Sequence, residues 1–290
     1  MLVNMKEILE EAEKGGYAIG CINTPNVETL RAVIGAAEDL NVPIIIDHAQ
    51  VHDPLIPIEE IGPKMVEAAK KAKVPVCVHL DHGSDYSFVL RAIRCGFSSI
   101  MYDLSTLSFE ENKEKLKEFT EYAHKMGITV EAELGIMTST EEDSHGGSSG
   151  WTHETIKKTF TDPDQAAEFA EYTGVDALAV CFGTAHGIYA EPPLLDIDRV
   201  KAIRAKMPST TRVVMHGGSG VDYDQVRAAI SAGCSKVNYY SYMAKACTKH
   251  MTEYLNEKKG DGFYHEIQEE AYRFMREYAR EVLSVFKNGK

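Results

Sequence analysis

The sequence predicts an α/β protein that folds as a (β/α)₈ barrel, a TIM barrel with its active site at the C-terminal ends of the strands. Eight short apolar runs rich in β-forming residues alternate with amphipathic helical stretches over most of the chain. Several of these helical stretches end at a glycine, which is typical of helix ends. The turn after the first run, Asn23 to Asn26, lacks the Gly-x-Gly-x-x-Gly sequence that is common at this point in open doubly wound sheets.

The predicted strands are short aliphatic runs with polar residues at their ends. They cover Tyr17 to Ile22, Pro43 to Asp47, Val76 to Leu80, Ser99 to Tyr102, Thr129 to Glu133, Ala177 to Phe182, Arg212 to His216 and Lys236 to Tyr239.

The predicted helices lie between the strands and carry apolar residues at helical spacing. They cover Val27 to Leu40, Ile58 to Lys71, Ser87 to Cys95, Glu111 to Met126, Pro163 to Thr173, Ile197 to Met207 and Asp222 to Ala232, and the glycines that follow four of them are Gly96, Gly127, Gly174 and Gly233.

Two further segments complete the prediction. The polar stretch from Thr138 to Thr161 is expected to form a loop or lid over one end of the barrel. The charged tail from His250 onward is expected to be helical and to pack outside the barrel. Residues 1–290 are therefore predicted to form a single barrel domain with a C-terminal helical extension.

Composition excludes several classes of partner. The 290 residues carry 31 Lys and Arg against 44 Asp and Glu, a net charge of 31 − 44 = −13, which disfavours nucleic acid. No apolar run approaches the roughly 20 residues of a membrane helix, so no membrane partner is expected. The start lacks the pattern of a signal peptide, and six cysteines occur without a Cys-x-x-Cys pair. We expect a cytoplasmic protein with reduced thiols.

Polar residues gather where the predicted strands end. Because the carboxyl ends of parallel barrel strands meet on one rim, these side chains are expected to converge there. Any one of them alone fits a satisfied buried polar group equally well. They are Asn23, Asp47, His48, Asp81, His82, Asp103, Glu133, His186, His216 and Asn238.

Three of these residues, His82, His186 and His216, follow the third, sixth and seventh strands. Three imidazoles on one rim suit a catalytic Zn²⁺ ion with an open coordination position. The ligands are far apart in sequence, so the pattern leaves rivals open. These are His48, His52, His145 and His153, and His79 is expected to face the same side as Asp81.

Two glycine-rich segments follow the sixth and seventh strands, Gly183 to Gly187 and His216 to Gly220. Their small residues allow backbone amides to surround an anion, and barrels commonly hold phosphate near the loops after strands seven and eight. A phosphate is the ligand we expect. The alternative is that both segments are tight turns that only close their βα units.

The motifs together resemble the class II, metal-dependent ketose-bisphosphate aldolases, the fructose- and tagatose-bisphosphate aldolase family. The resemblance keeps its order from about Gly16 to Asn238. The segments that carry it are His79-Leu80-Asp81-His82, Val130-Glu131-Ala132-Glu133-Leu134-Gly135, Thr161-Asp162-Pro163, Thr173-Gly174-Val175-Asp176, Leu178-Ala179-Val180, Gly183-Thr184-Ala185-His186-Gly187-Ile188-Tyr189, His216-Gly217-Gly218-Ser219-Gly220 and Lys236-Val237-Asn238.

The resemblance implies a zinc-dependent lyase that reversibly cleaves a ketose phosphate or bisphosphate into dihydroxyacetone phosphate and an aldehyde. Asp81 matches the residue that moves a proton to and from the substrate hydroxyl, and Glu141 the acid/base for the C–H proton of the triose. The matching metal residues are His82, His186, His216 and Glu133, and the substrate- and phosphate-binding residues are Asn23, Gly187, Gly217, Gly218, Ser219, Asn238 and Ser241.

The residue types suit this chemistry. A carbanion beside a carbonyl is too basic to form unaided, and a divalent metal on the substrate oxygens stabilises the charge as a Lewis acid. No Schiff-base lysine is then needed. Lys236, the one lysine on these strands, is expected to begin its strand at the end of the barrel away from the site.

The sequence departs from the family's pattern at three places. Tyr240 places a bulky phenol after Asn238, where family members differ with the sugar they cleave, unless its ring packs outward. The family's Asp-Pro-Arg, whose arginine holds the distal phosphate, is replaced by Asp261-Gly262-Phe263. Arg273 and Arg276 are candidate substitutes. In strand two, Asp47-His48-Ala49-Gln50 replaces Gln-x-Ser.

Some assignments stay open. A shift of one residue in the polar loop would give the role of Glu141 to Glu142. The resemblance also implies a homodimer or larger homo-oligomer and allows a monovalent cation, Na⁺ or K⁺, near the phosphate loops. The alternatives to an aldolase are an epimerase-like metal enzyme on the same scaffold and a noncatalytic sugar-phosphate binding protein.

Overall fold

The computed structural model describes residues 1–135, 153–189 and 191–290. Within these ranges eight parallel strands close into a barrel, because strand β5 pairs with both β4 and β6. The predicted (β/α)₈ barrel is confirmed, and each predicted strand is present with ends shifted by a few residues. The barrel strands are β2 (Ile19–Asn23), β3 (Ile44–Ala49), β4 (Val76–Gly83), β5 (Ser99–Tyr102), β6 (Thr129–Leu134), β7 (Ala177–Val180), β8 (Arg212–Met215) and β9 (Cys234–Tyr239), and the short β1 (Leu2–Val3) pairs with β4.

Helices surround the barrel, and those predicted between the strands are all found. Gly96 and Gly174 end two of them in the left-handed conformation, with φ of 89° and 68°. The helices are α1 (Met5–Gly15), α2 (Val27–Leu40), α3 (Ile58–Lys71), α4 (Tyr86–Cys95), α5 (Phe109–Lys125), α6 (His153–Lys157), α7 (Pro163–Thr173), α8 (Ile197–Lys206), α9 (Tyr223–Ser231), α10 (Ser241–Glu257) and α11 (Tyr264–Phe286), with a 3₁₀ turn at Gln50–His52.

Helices α6 and α1 differ from the prediction, and the short strand β1 was not predicted. Helix α6 lies inside the segment that was expected to be a loop, and residues 136–152 of that segment are outside the described ranges. Helix α1 was not predicted, because acidic and basic residues interrupt its apolar positions. Those positions nevertheless recur at helical spacing, and the Asn4 side chain caps the helix by accepting from the Glu7 amide.

Helix α1 closes the end of the barrel opposite the strand carboxyl ends. Its buried face packs into a small apolar cluster formed by inward side chains of the strands. This cluster contains Met5, Ile8, Leu9 and Ala12 from the helix and Ile19, Cys21, Ile45, Cys77, Ala177, Ala179 and Val214 from the barrel. The closed bottom leaves the opposite rim as the face for chemistry.

The strands alternate between the outer helix layer and the barrel interior. On β4, Val78 and Leu80 pack outward in the main core, whereas His79 and Asp81 point inward. His79 and Asp81 therefore share one face, as their spacing predicts. Above the apolar cluster at α1, the barrel interior is polar.

A buried ion pair lies at the centre of this polar interior. The Lys236 ammonium donates to the Glu131 carboxylate, with Nζ 3.0 Å from Oε1 and 2.9 Å from Oε2, and both side chains are completely buried. The position predicted for Lys236 was wrong: it is the third residue of β9 rather than the first, and its side chain runs inside the barrel. Cys234 pairs with Val213 of β8, and Ser235 is fully buried. The strand therefore begins two residues before the lysine.

Helices α10 and α11 follow the last strand of the barrel and pack against each other. Helix α11 packs along α2, where the Arg276 guanidinium donates to both carboxylate oxygens of Asp39 at 2.9 and 2.7 Å. No helix among the described residues is long and apolar enough to cross a lipid bilayer.

We expect Leu9→Ala in α1 to lower the free energy of unfolding by about 2–5 kcal/mol, because it leaves a cavity in the cluster that closes the barrel. Urea unfolding measures this loss. Lys6→Ala on the exposed face of the same helix is the control, with an expected change below about 0.5 kcal/mol. Equal effects of the two substitutions would contradict the packing described here.

We expect Lys236→Met to lower the free energy of unfolding by about 3–5 kcal/mol, because Glu131 keeps its charge without its cation. The double variant Lys236→Met/Glu131→Gln removes both charges and should lose less than the sum of the two single losses. Strictly additive losses in urea unfolding would show that the pair is not coupled.

Candidate active site

A cavity opens at the carboxyl ends of the strands, where the sequence predicts the active site. Its wall contains most of the predicted site residues, namely Asn23, Asp81, His82, His186, Gly187, Gly217, Ser219, Asn238 and Ser241. It also contains Ala49, Val51, His52, Tyr239 and Tyr240. Tyr240 thus faces the cavity, and the alternative that its ring packs outward is wrong.

Three imidazoles converge in the cavity. One nitrogen each of His82, His186 and His216 can be chosen so that all three lie within 4.8 Å of one another. The ring centres of His82 lie 4.8 Å from those of both His186 and His216. The three histidines singled out from widely separated strand ends are therefore neighbours in space.

Buried carboxylates orient two of these rings. The Nδ1–H of His82 donates to Asp103 at 2.7 Å, and the Nε2–H of His216 donates to Glu131 at 2.8 Å. Because a carboxylate only accepts, each bond places the ring proton on that nitrogen and leaves a lone pair on the other. These other nitrogens, Nε2 of His82 and Nδ1 of His216, lie 3.0 Å apart.

This arrangement fits a bound cation. Two nitrogen lone pairs at 3.0 Å repel each other unless a proton or a metal ion lies between them. The buried Nδ1 of His186 has no hydrogen-bond partner among the described residues. Orienting carboxylates behind imidazole ligands are typical of protein metal sites. The donor set of three imidazoles is therefore suited to a divalent metal.

The charges around the cluster are negative. Burial lowers the pKa of His82, but Asp81, Asp103 and Glu133 outweigh burial and raise the pKa to about 10. Burial and the two neighbouring histidines lower the pKa of His186 to about 3. The carboxylates around His82 thus favour a positive charge next to its ring.

The backbone of His82 adopts an unusual conformation. Its φ of 47° lies in the left-handed region, which residues other than glycine rarely enter, and the register of β4 against β5 shifts between Leu80 and Gly83. Such a conformation costs of order 1–3 kcal/mol and is found most often at functional sites. Because of this irregularity, His82 lines the cavity together with Asp81, the residue before it in the sequence.

Two amides hold the Asp81 carboxylate. The Asn23 Nδ2 donates to Oδ2 of Asp81 at 3.3 Å, and the Asn238 Nδ2 donates to Oδ1 at 3.2 Å. The side-chain oxygen Oδ1 of Asn238 accepts in turn from the Lys236 ammonium at 2.7 Å. Asp81 is consequently fixed from two neighbouring strands, β2 and β9, at the rim of the cavity.

The glycine segments form a compact wall beside the histidines. Gly217 has φ of 62°, and a Cβ atom there would lie 2.4 Å from the Ala185 carbonyl oxygen, so the two loops touch only because this residue is glycine. The Ser219 hydroxyl accepts from the Tyr242 amide at the start of α10. Gly218 is not among the residues that line the cavity, and its amide donates to the backbone carbonyl oxygen of Asn238.

Other predicted residues lie elsewhere. Of the rival ligands, His48 is buried against Phe88, and the Nε2–H of His153 donates to the Pro192 carbonyl oxygen. His52 lines the cavity but is not one of the three clustered imidazoles. Glu141, Glu142 and His145 lie outside the described residues. Arg273 pairs with Glu269, and Arg276 pairs with Asp39 on the outer helix layer, so neither lines the cavity as a substitute for the missing arginine.

The sequence analysis gave no role to Asp103 or Glu131, although both contact clustered histidines. Glu133 lies near the cluster as well, with Oε2 3.7 Å from Nδ1 of His216. The sequence did contain a pattern that could have identified Glu131. Glu131 and Glu133 are two residues apart on β6, so both side chains face the barrel interior.

Solved structures with a similar fold include aldolases. The YdjI aldolase of Escherichia coli K12 has 34% identity and a TM-score of 0.85, with 99% of this chain and 97% of that chain covered. A putative fructose-1,6-biphosphate aldolase of Coccidioides immitis has 27% identity and a TM-score of 0.83, with 98% and 96% covered. The fructose-bisphosphate aldolase of Campylobacter jejuni has 22% identity and a TM-score of 0.77, with 98% and 95% covered, and supports the fold alone.

A family model described as class II fructose-bisphosphate aldolase matches residues 3–290. The match extends over nearly the whole chain, including both glycine segments and every strand of the barrel. The resemblance seen in the motifs is confirmed, and the chain belongs to the class II fructose-bisphosphate aldolase family.

Proposed function

We propose that this protein is a Zn²⁺-dependent aldolase that reversibly cleaves a phosphorylated ketose into dihydroxyacetone phosphate and an aldehyde. The observation that carries the proposal is the convergence of three imidazoles beside a fixed carboxylate, Asp81, and a glycine-rich wall. Membership in an aldolase family supports the reaction type. The zinc ion and the products are the parts that we propose.

His82, His186 and His216 would hold the metal, with Glu133 close to His216. Imidazole nitrogens suit Zn²⁺, and three protein ligands leave one position open. A bound divalent ion would supply Lewis acidity that stabilises negative charge on a substrate carbonyl oxygen. All remaining steps belong to side chains and amides of the chain.

Asp81 is the proposed acid/base for the substrate hydroxyl. Burial by itself raises its pKa, but His82, His216 and Lys236 outweigh burial and hold the pKa well below its usual range. The carboxylate is therefore ionised at neutral pH and can accept the hydroxyl proton during cleavage and return it during condensation. The amides of Asn23 and Asn238 fix both oxygens for this transfer. Glu141 remains the proposed acid/base for the triose C–H proton.

The triose phosphate would bind along the glycine-rich wall. Gly187, Gly217, Ser219 and Ser241 all line the cavity on the side of β7, β8 and β9. Helix α10 begins at Ser241, which lines this end of the cavity, and helix N-termini favour bound anions; its Tyr242 amide is already engaged by Ser219. Backbone amides in such loops bind phosphate without a lysine or an arginine.

We expect the zinc-loaded protein to release dihydroxyacetone phosphate from at least one phosphorylated ketose, and a chelator to abolish this activity. A coupled reporter enzyme measures the release from fructose and tagatose phosphates.

Asp81→Asn should reduce kcat by about 10²–10⁴-fold with zinc content unchanged, because the group that takes the hydroxyl proton is lost. Asp198→Asn on the exposed surface of α8 is the control and should leave kcat unchanged.

Normal turnover by zinc-loaded Asp81→Asn would remove Asp81 from the mechanism. Rearrangement of the ketose without release of a triose would instead indicate the epimerase-like alternative. Zinc binding with no reaction of either kind would indicate a sugar-phosphate binding protein.

We expect Asp103→Asn to weaken Zn²⁺ binding by about 10–100-fold, because the carboxylate no longer orients the His82 ring. Competition with a chromophoric chelator measures the affinity without any assay of activity. Ser105→Ala is the matched control, since it removes the hydroxyl hydrogen bond to Asp103 but keeps the carboxylate against His82. Affinity that is identical in all three proteins would contradict the role of Asp103.

A further inference from the structure

We propose that this active site takes ketoses that are phosphorylated at one end only, so that the aldehyde product carries no phosphate. The inference rests on the aldolase function proposed above and names the substrate class of that site. It is carried by the lining of the cavity at the end away from the glycine-rich wall and by the positions of the chain's cations.

The strand register shows where the aldehyde portion lies. Asp81, the proposed acid/base for the hydroxyl of this portion, is paired with Ala49 of the neighbouring strand β3. The chain then continues through Val51 and His52, which line the cavity together with Tyr240. We call Ala49, Val51, His52 and Tyr240 the distal wall. β3 and the glycine segment after β8 are separated by β2 and β9, so the two ends of the cavity are distinct.

The distal wall offers no lysine or arginine to a phosphate. None of the described residues that line the cavity is a lysine or an arginine. The segments outside the described ranges, residues 136–152 and 190, contain neither residue type in their sequence. A phosphate dianion loses its hydration when it is buried. Without a cation or a set of amides, no interaction compensates for that loss.

Two cations close to the site, Arg91 beside Asp53 and Lys236 beside Asn238, are already engaged by acids. Arg91 donates to both Asp53 and Glu59 at 2.6–3.1 Å, and its guanidinium stacks on Phe88. Lys236 is fully buried below the cavity floor and bound to Glu131. Neither side chain is free to turn toward a distal phosphate without leaving a carboxylate uncompensated.

The distal wall does suit hydroxyl groups. The rings of His52 and Tyr240 meet edge to face with centres 5.6 Å apart, and both carry groups that donate and accept hydrogen bonds. Burial raises the pKa of the Tyr240 phenol to about 12, so it stays neutral at physiological pH. Ala49 is buried, and Val51 adds an apolar surface. An uncharged polyol end fits these side chains.

The first experiment separates the triose half of the site from the distal half. Exchange of the C–H proton of dihydroxyacetone phosphate in D₂O, by the zinc-loaded protein, requires no aldehyde. Absence of exchange would refute the proposed aldolase function, and the inference with it. When exchange occurs, hexitol 1-phosphates and hexitol 1,6-bisphosphates with the glucitol, mannitol and galactitol configurations are compared as inhibitors of it.

We expect at least one hexitol 1-phosphate to inhibit exchange about tenfold more tightly than the matching bisphosphate. Tighter or equal inhibition by the bisphosphates, or no inhibition by any of the six compounds, would overturn the inference while leaving the aldolase function standing. Tighter binding of the bisphosphates would also indicate that a cation from another subunit completes the site.

A charge added to the distal wall provides the second test. Val51 is 43% exposed, so Val51→Arg can place a guanidinium at the rim without filling the core. We expect this variant to improve inhibition by the bisphosphates about tenfold relative to Val51→Gln, the neutral matched control. Equal inhibition of the two variants by every bisphosphate would show that the distal end of the ligand does not lie at this wall, and would overturn the inference.

Discussion

The ion pair between Lys236 and Glu131 is the interaction on which the interior of this barrel depends. Burial lowers the pKa of a lysine, but the surrounding acids outweigh burial here and raise it, so the ammonium stays charged. Burial likewise raises the pKa of Glu131, yet Lys236, His216 and His79 bring it to about 2. Each charge is stable inside the barrel only because the other is present.

This pair sets the orientation of the groups above it. Glu131 accepts from the His216 ring and so decides which nitrogen of His216 faces the cavity. Lys236 also donates to the side-chain oxygen Oδ1 of Asn238, which turns the Nδ2 amide of Asn238 toward Asp81. One buried cation therefore positions both a proposed metal ligand and the proposed acid/base. The lysine in the interior of this barrel thus has a structural role that does not depend on a Schiff base.

The fold could be predicted because its causes are local. Eight β-rich runs, amphipathic helices between them and glycines at helix ends each follow from the chemistry of neighbouring residues. Helix α1 escaped prediction because its charged residues obscure four apolar positions, whose burial depends on the barrel that they close. Its stability comes from packing against distant strands rather than from its own sequence.

The sequence by itself determined the barrel, the family and the set of polar residues at the strand ends, including His82, His186 and His216. The tertiary structure alone decided which polar residues meet: that Asp103 and Glu131 orient the histidines, that Arg276 binds Asp39 on the outside, and that Tyr240 faces the cavity. The physical reason is that strand identity follows from local patterns, whereas contacts between strands depend on register and closure, which residues far apart in the chain set together.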